Sequence, residues 1–332
     1  MFDLISIGDC VIDTFIFLED AEVYTNKKGD TMVGMRYGDK IPVGSGGMSM
    51  VAGNAANNAV GGSRLKLKTA IYTNVGNLDD DSADDRIKAK FKKEGIDIRY
   101  VVENANLPSN HHVVLSFKGE RTILIYHQPW KFNLPDLDAS RWVYLTSLSP
   151  SYVVSNLYNQ LTQYLERTSA KLLYNPGTFQ IKQGVKKNPR LLSLTELFVV
   201  NVEEAQIILG KSGEGKGKSE IKKLLKGICD LGSRMAVITD GGDGSYGFDG
   251  EKYYQLGIFP AKLLEMTGSG DAFATGTLAG LFHGKDLGEA MRWGAANGAS
   301  VVEQIGPQAG LLTYNQMQEK LKENKNVVAK EI

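Results

Sequence analysis

The chain has 332 residues, enough for one large α/β domain or two ordinary ones, and 42% of them are apolar, which supplies a sizeable core. Lysine plus arginine equals aspartate plus glutamate at 38 each, so no global field gathers nucleic acid or a membrane surface, and any anion must be bound locally. Cys10 and Cys229 match no metal or disulfide spacing, and the amino terminus lacks the basic start and long apolar run of a signal peptide, so the expectation is a soluble cytoplasmic protein.

In chain order, residues 4–7 form a short apolar run ending at Gly8-Asp9, the pattern of a buried first strand. Ligands gather at the carboxyl ends of such strands, which marks Asp9 and Asp13 as candidate ligand groups. Residues 14–45 mix aromatic and aliphatic side chains with lysine, aspartate and glycine without a helical period, and read as short strands in a meander. A glycine-rich passage then runs into a helix of small residues carrying Gly53 and Asn57. Small residues let backbone approach a ligand closely, and an amide side chain both donates to and accepts from hydroxyls. Residues 68–75 read as a strand, and 80–94 as an amphipathic helix, acidic in its first turn, basic in its last and stopped by Gly95. Residues 112–117 and 121–126 alternate around Lys118-Gly119-Glu120, a hairpin.

From residue 142 the pattern becomes strand and helix in turn. Strands are expected at 142–146, 171–174, 197–200 and 235–239, and helices at 152–167, 202–209 and 219–231, which together mean a parallel sheet covered on both faces. Asn201-Val202-Glu203-Glu204 falls at a strand-to-helix junction, where Asn201 and Glu204 either cap the helix or hold a hydrated hard cation. Two near-motifs fail on context. Residues 212–219 approach a P-loop but have Ser212 for its first glycine and follow a helix; residues 242–247 fit a dinucleotide fingerprint but lead into a hairpin at 246–254. The histidines at 111, 112, 127 and 283 form no zinc pattern and are expected to be structural. Beyond them, 286–304 is a helix rich in alanine and glycine, and 314–324 an amphipathic surface helix.

The chemistry centres on Gly268, Ser269, Gly270 and Asp271, a tight loop opening a buried helix that runs to Phe282. Amides at such a helix start have no partner within the helix and carry the positive end of its dipole, so they bind anions. Asp271, a carboxylate beside that cradle, is either a helix cap or a base that takes the proton of a hydroxyl attacking a phosphoryl group.

Residues 267–276 resemble the carboxy-terminal signature of the ribokinase, or pfkB, family of carbohydrate kinases, with Gly-Ser-Gly-Asp as the loop. Residues 52–59 resemble its amino-terminal signature, with Ala52-Gly53 for the usual glycine pair, and Asn201 to Glu204 is similar to its Asn-x-x-Glu motif. The resemblance implies a single α/β domain over 1–332, a ribokinase-like three-layer sandwich with a mainly parallel central sheet and a small β-sheet lid formed by insertions 14–45 and 98–127. It implies ATP-dependent phosphorylation of a hydroxyl of a sugar or sugar-like substrate. Asp271 would be the base and Gly268, Ser269 and Gly270 the anion cradle; Asp13, Gly53 and Asn57 would meet the acceptor. Asn201 and Glu204 would place Mg²⁺, and Thr239, Gly241, Gly242 and Asn297 would meet the nucleotide. Many members hold a monovalent cation such as K⁺ just before the loop, where this chain has Glu265 and Met266 in place of the usual Asp and Thr. The alternatives are a nucleoside kinase, with Phe15, Phe17, Tyr24 and Tyr37 of the first insertion stacking a base, and a catalytically silent sensor of sugar or nucleotide. Relatives also imply a homodimer formed through the lid.

Overall fold

The computed structural model describes residues 1–44, 47–78, 83–118, 120–211 and 217–332, with the side chains of 83 and 84 left aside. The elements in chain order are β1 (Phe2–Ile7), β2 (Val11–Phe17), β3 (Glu22–Thr25), β4 (Thr31–Gly34), β5 (Met48–Ala52), α1 (Asn54–Arg64), β6 (Thr69–Gly76), α2 (Ala83–Lys93), β7 (Asp97–Asn104), β8 (His111–Phe117), β9 (Glu120–Tyr126), β10 (Ser140–Leu145) and α3 (Leu157–Thr168). There follow β11 (Lys171–Tyr174), α4 (Thr178–Gln183), α5 (Pro189–Ser193), β12 (Thr195–Asn201), α6 (Val202–Leu209), α7 (Lys218–Asp230), β13 (Met235–Thr239), β14 (Ser245–Phe248), β15 (Tyr253–Leu256), α8 (Ser269–Phe282), α9 (Leu287–Val301), α10 (Tyr314–Glu323) and β16 (Lys330–Glu331).

Continuous apolar strands pair in parallel at the centre. The main sheet runs β16-β15-β14-β13-β12-β11-β10-β1-β6-β7, parallel from β7 to β13 and antiparallel from β14 onward. Leu4 of β1 faces Trp142 of β10 on one side and Thr69 of β6 on the other. All eight residues of β6 are buried, as a strand covered on both faces must be. One face packs against α3, α6 and α7 through Leu161, Ile208 and Leu224; the other packs against α8, α9 and α10 through Leu278, Met291 and Met317. Alanines of α1 pack with Ile87 and Phe91 of α2 in a third apolar cluster. These three layers are the ribokinase-like sandwich expected from the sequence.

A separate four-stranded sheet, in the order β5-β2-β8-β9, forms the lid. Its bounds differ from the expected insertions. β2 already begins at Val11 and β5 occupies residues after 45, while β3 and β4 pair only with each other. β7, assigned from sequence to the second insertion, instead extends the main sheet beside β6. As the edge strand it is only half covered, and its mixed pattern imitates a lid strand. The helix expected at 152–167 is split into a 3₁₀ turn, Pro150–Val154, and α3, with Ser155 extended between them. The first residues of the helix expected at 80–94, Gly119 of the hairpin turn and most of the near-P-loop at 212–219 lie outside the described residues. Among the described residues, no helix is long and apolar enough to cross a membrane.

Candidate active site

The carboxyl ends of β1, β11, β12 and β13 meet the start of α8 around a cleft of about 730 Å³ beneath the lid. Asp13, Gly53, Asn57, Asn201, Glu204, Thr239, Gly241, Gly268, Ser269, Gly270 and Asp271 all line it, so eleven side chains and loops chosen from sequence share one cavity.

Gly268 is the N-cap of α8, at φ +81°, and a Cβ there would run into Pro307, so only glycine fits without strain. The first intrahelical bond of α8 is Ala272 N to Gly268 O; the amides of Gly270 and Asp271 fall before it and open the helix toward the cleft. Gly270 has free space where a Cβ would stand. Asp271, in the first turn, is 8% exposed. Asn57 Nδ2 donates to Asp271 Oδ2 at 2.8 Å, and Gln308 Nε2 donates to Asn57 Oδ1 at 3.0 Å. Burial raises the Asp271 carboxyl to about 6, against the lowering effect of Asn57 and Asn54. Asn57, which lines the cleft, thus also orients the Asp271 carboxylate, and its amide keeps a second N–H and a second lone pair. Gly53, the N-cap of α1 at φ +99°, is held by close packing, since its Cβ would lie 2.6 Å from Asp9 O.

Asn201 and Glu204 form a reciprocal capping box at the start of α6: Glu204 N donates to Asn201 Oδ1 at 2.8 Å and Asn201 N to Glu204 Oε2 at 2.9 Å. The cap is therefore present, and the capped pair also lines the cleft. Burial raises the Glu204 carboxyl.

A second, apolar pocket of about 290 Å³ adjoins the first and shares Thr239, Gly241, Met266, Ser269 and Gly270 with it. Gly242, Phe259, Ala295, Gly298 and Ala299 also line it. Asn297 does not. It is fully buried, donating to Ala272 O at 2.8 Å and accepting from Leu312 N at 3.0 Å, so the helix reaches the pocket through its small residues while Asn297 ties α9 to α8.

His112, His127 and Phe179 were missed; they line the cleft together with Arg121 and with Asp9, the candidate marked at the end of the first strand. Ser149 Oγ donates to Asp9 Oδ2 at 2.8 Å; His127 Nδ1 lies 2.8 Å from Ser149 Oγ, and His127 Nε2 lies 3.0 Å from His112 Nε2. The hairpin already carried the signal: its register, with Phe117 opposite Glu120, sets His112 opposite Ile125, two residues before His127. Arg121, Ile123 and Ile125 alternate along β9 and face the cleft. Of the aromatic residues proposed to stack a base, Phe15 is buried and Tyr37 fully exposed, and none of Phe15, Phe17, Tyr24 and Tyr37 lines the cleft.

A sheet of this order with a small β lid over the strand ends is ribokinase-like. The ribokinase of Arabidopsis thaliana complexed with ribose and ATP is similar over 96% of this chain and 98% of that chain, with a TM-score of 0.77 and 21% identity. A 5-dehydro-2-deoxygluconokinase of Clostridium perfringens is 27% identical over 296 residues, 83% of this chain and 85% of the relative. An uncharacterized sugar kinase of Archaeoglobus fulgidus is 24% identical over 258 residues, 76% of this chain and 98% of that protein. The model of the pfkB family carbohydrate kinases matches residues 2–313, and the chain belongs to that family. It is a phosphotransferase that acts on an alcohol group of a sugar or sugar-like substrate.

Proposed function

We propose that the cleft transfers the γ-phosphoryl group of ATP to a hydroxyl of a sugar or sugar acid, with Asp271 as the base. The observation that carries this is the place of Asp271: buried, held by Asn57, and at the helix start where an anion is stabilised. Its raised pKa suits proton transfer near neutrality, because the carboxylate is basic enough to take a proton and still ionised at pH 7. The amides of Gly270 and Asp271 stabilise the charge on the phosphoryl oxygens. Thr239, Gly241 and Gly242 run beside the nucleotide, whose base enters the apolar pocket next to Phe259 and Ala295.

Glu204, whose Oε1 lies outside the capping box, and Asn201 fit a hydrated Mg²⁺, which needs only one or two protein oxygens and takes the rest from water and phosphate. Bound there, the ion would neutralise phosphate charge. Glu265, 6% exposed, accepts from Thr267 N through Oε1 and leaves Oε2 without a partner, a donor suited to a monovalent cation such as K⁺.

At the acceptor end, Asp13 Oδ1 is buried without a hydrogen-bond partner, with His112 Nδ1 3.4 Å away, and is an acceptor open to a hydroxyl donor; Asp9 Oδ1 is likewise buried and without a hydrogen bond. Of the basic lid residues, Arg121 faces this space, whereas Arg36 is paired with Asp20 and Asp39. A guanidinium in the same cleft as Asp13 favours a polyhydroxy acid whose hydroxyls meet that carboxylate. Exposed Leu124 and Tyr126 on the outer face of β9 support a lid-to-lid dimer, and the chain's composition a cytoplasmic enzyme.

An ADP-release assay against D-ribose, D-gluconate, 2-keto sugar acids, sugar phosphates and adenosine, run with Asp271→Asn, tests the proposal. Turnover of a sugar or sugar acid, lowered roughly 10²–10⁴-fold in the variant, is expected. Turnover of adenosine alone overturns the acceptor class, and a variant within a few-fold of wild type removes Asp271 as base.

A further inference from the structure

Five polar side chains at the base of the lid make one connected row: Asp9, Ser149, His127, His112 and Asp13. The successive separations are 2.8 Å (Asp9 Oδ2 to Ser149 Oγ), 2.8 Å (Ser149 Oγ to His127 Nδ1), 3.0 Å (His127 Nε2 to His112 Nε2) and 3.4 Å (His112 Nδ1 to Asp13 Oδ1). Two imidazole nitrogens 3.0 Å apart must be one donor and one acceptor, so the tautomer of each ring fixes that of the other.

Counting hydrogens along the row gives two arrangements for neutral rings. With Asp9 ionised, the single hydrogen of Ser149 goes to Asp9. His127 Nδ1, 3.3 Å from the same carboxylate, then carries the ring hydrogen. His127 Nε2 is bare, His112 Nε2–H fills the contact between the rings, and a bare His112 Nδ1 faces the Asp13 carboxylate. With Asp9 protonated, every hydrogen reverses. Asp9 donates to Ser149, Ser149 to His127 Nδ1 and His127 Nε2–H to His112 Nε2, and His112 Nδ1–H is turned toward Asp13 Oδ1, 3.4 Å away. Every donor meets an acceptor in both arrangements, but in the first a bare His112 Nδ1 faces the Asp13 carboxylate, two buried acceptors with no hydrogen between them, which is costly.

We propose that Asp9 is a positioning residue for the acceptor: protonated, it sets His112 to present Nδ1–H to Asp13 and so orients that carboxylate toward the acceptor's hydroxyls, and ionised, it reverses the row and releases Asp13. The inference rests on the proposed acceptor site. The titratable groups facing Asp9 are His127 and His112 at the lid base, Tyr72 of β6, Cys10 of its own loop and Asp13 of β2. Burial raises the Asp9 carboxyl, with His127 acting in the opposite sense. Burial also pushes the Tyr72 phenol up to about 12 and the Cys10 thiol upward, so both stay neutral while Asp9 titrates. Acceptor binding therefore weakens as pH rises through the raised pKa of Asp9.

The test needs no acceptor in its first arm. Imidazole ¹⁵N spectra of the ligand-free protein are compared with those of Asp9→Asn, whose amide N–H stands in for the carboxyl proton. At the alkaline end of the titration of Asp9, wild type should hold His127 Nδ1–H with His112 Nε2–H, and the variant the opposite tautomers. Identical tautomers in the two proteins overturn the proposal. In the second arm, D-gluconate and D-ribose serve as probes. The KM of wild type should rise roughly tenfold as pH rises through the titration of Asp9, as for a lost hydrogen bond to a charged group, while that of Asp9→Asn stays flat and kcat changes alike in both. A variant KM that follows wild type overturns the proposal. Failure of both probes to turn over bears on the sugar-kinase site, and the spectra still decide the row.

Discussion

Asn57 Nδ2 reaches Asp271 Oδ2 at 2.8 Å, joining the first turn of α8 to a helix 214 residues earlier in the chain. The same Asn57 accepts from Gln308, so the proposed base is braced through an amide that is itself braced. Without that donor the ionised carboxylate loses the largest of the groups that oppose its burial.

Asn57→Ala should therefore move the acid limb of the pH–kcat/KM profile upward by roughly one unit, leaving the alkaline plateau less affected. The profile of the variant beside wild type checks this, and an unmoved limb would show that Asn57 does not set the ionisation of Asp271.

Asp271 links activity and stability with opposite signs. Its folded pKa, about 6, lies above the ordinary value of 3.8, so protonation favours the folded state. That contribution is fully present below the ordinary value and lost as pH rises through about 6. The gap corresponds to a cost on the order of 3 kcal/mol at neutral pH. Activity should fall below pH 6 while thermal stability gains from this group, and Asp271→Asn should raise Tm at pH 7.5 by roughly 2–6 °C. A lower Tm in the variant would contradict the linkage.

Gly268→Ala introduces a Cβ into Pro307 at a positive φ. Loss of about 1–3 kcal/mol of stability is expected from the strained backbone, with a higher KM for ATP because the anion-facing amides shift. Denaturant melts and ATP titrations measure the two effects separately; a variant as stable as wild type refutes the steric account.

Glu204→Gln keeps an acceptor for Asn201 N, so the capping box survives while the charge is lost. The Mg²⁺ concentration for half-maximal rate should rise several-fold, with Tm changed by less than about 2 °C. An unchanged Mg²⁺ dependence would reduce the pair to a helix cap.

Much of this site was legible because its residues follow local rules. The glycine-led start of α8, the box at Asn201 and Glu204, and the parallel strands each declare themselves within a few residues. Contacts between distant segments were not legible in the same way. The bracing role of Asn57 was hidden because nothing near it in sequence reveals Gln308 or Asp271 as its partners. Asn297 shows the same limit, its amide serving two backbone groups from other segments. The edge position of β7 was hidden because a half-covered strand has one pattern whichever sheet it joins. The histidine pair was accessible in principle, since the hairpin register alone brings His112 and His127 together.

The passages between main sheet and lid lie close together. Asn110, fully buried, accepts from Gln128 N through Oδ1 at 2.8 Å and from Ile12 N through its carbonyl at 2.9 Å, clamping three of the crossings at one waist. Asp13 and His112 stand two residues beyond that waist, whereas Arg121 sits at the far end of β9. At about 3.3 Å per residue, Arg121 has a lever arm of roughly 20 Å and Asp13 one of about 7 Å, so a rotation of ~10° moves them about 3 Å and about 1 Å. Under the proposed function, a lid turning about that fulcrum would keep Asp13 nearly still while the guanidinium travels, so an acceptor would be held by its hydroxyls before the lid's distal charge arrives over it.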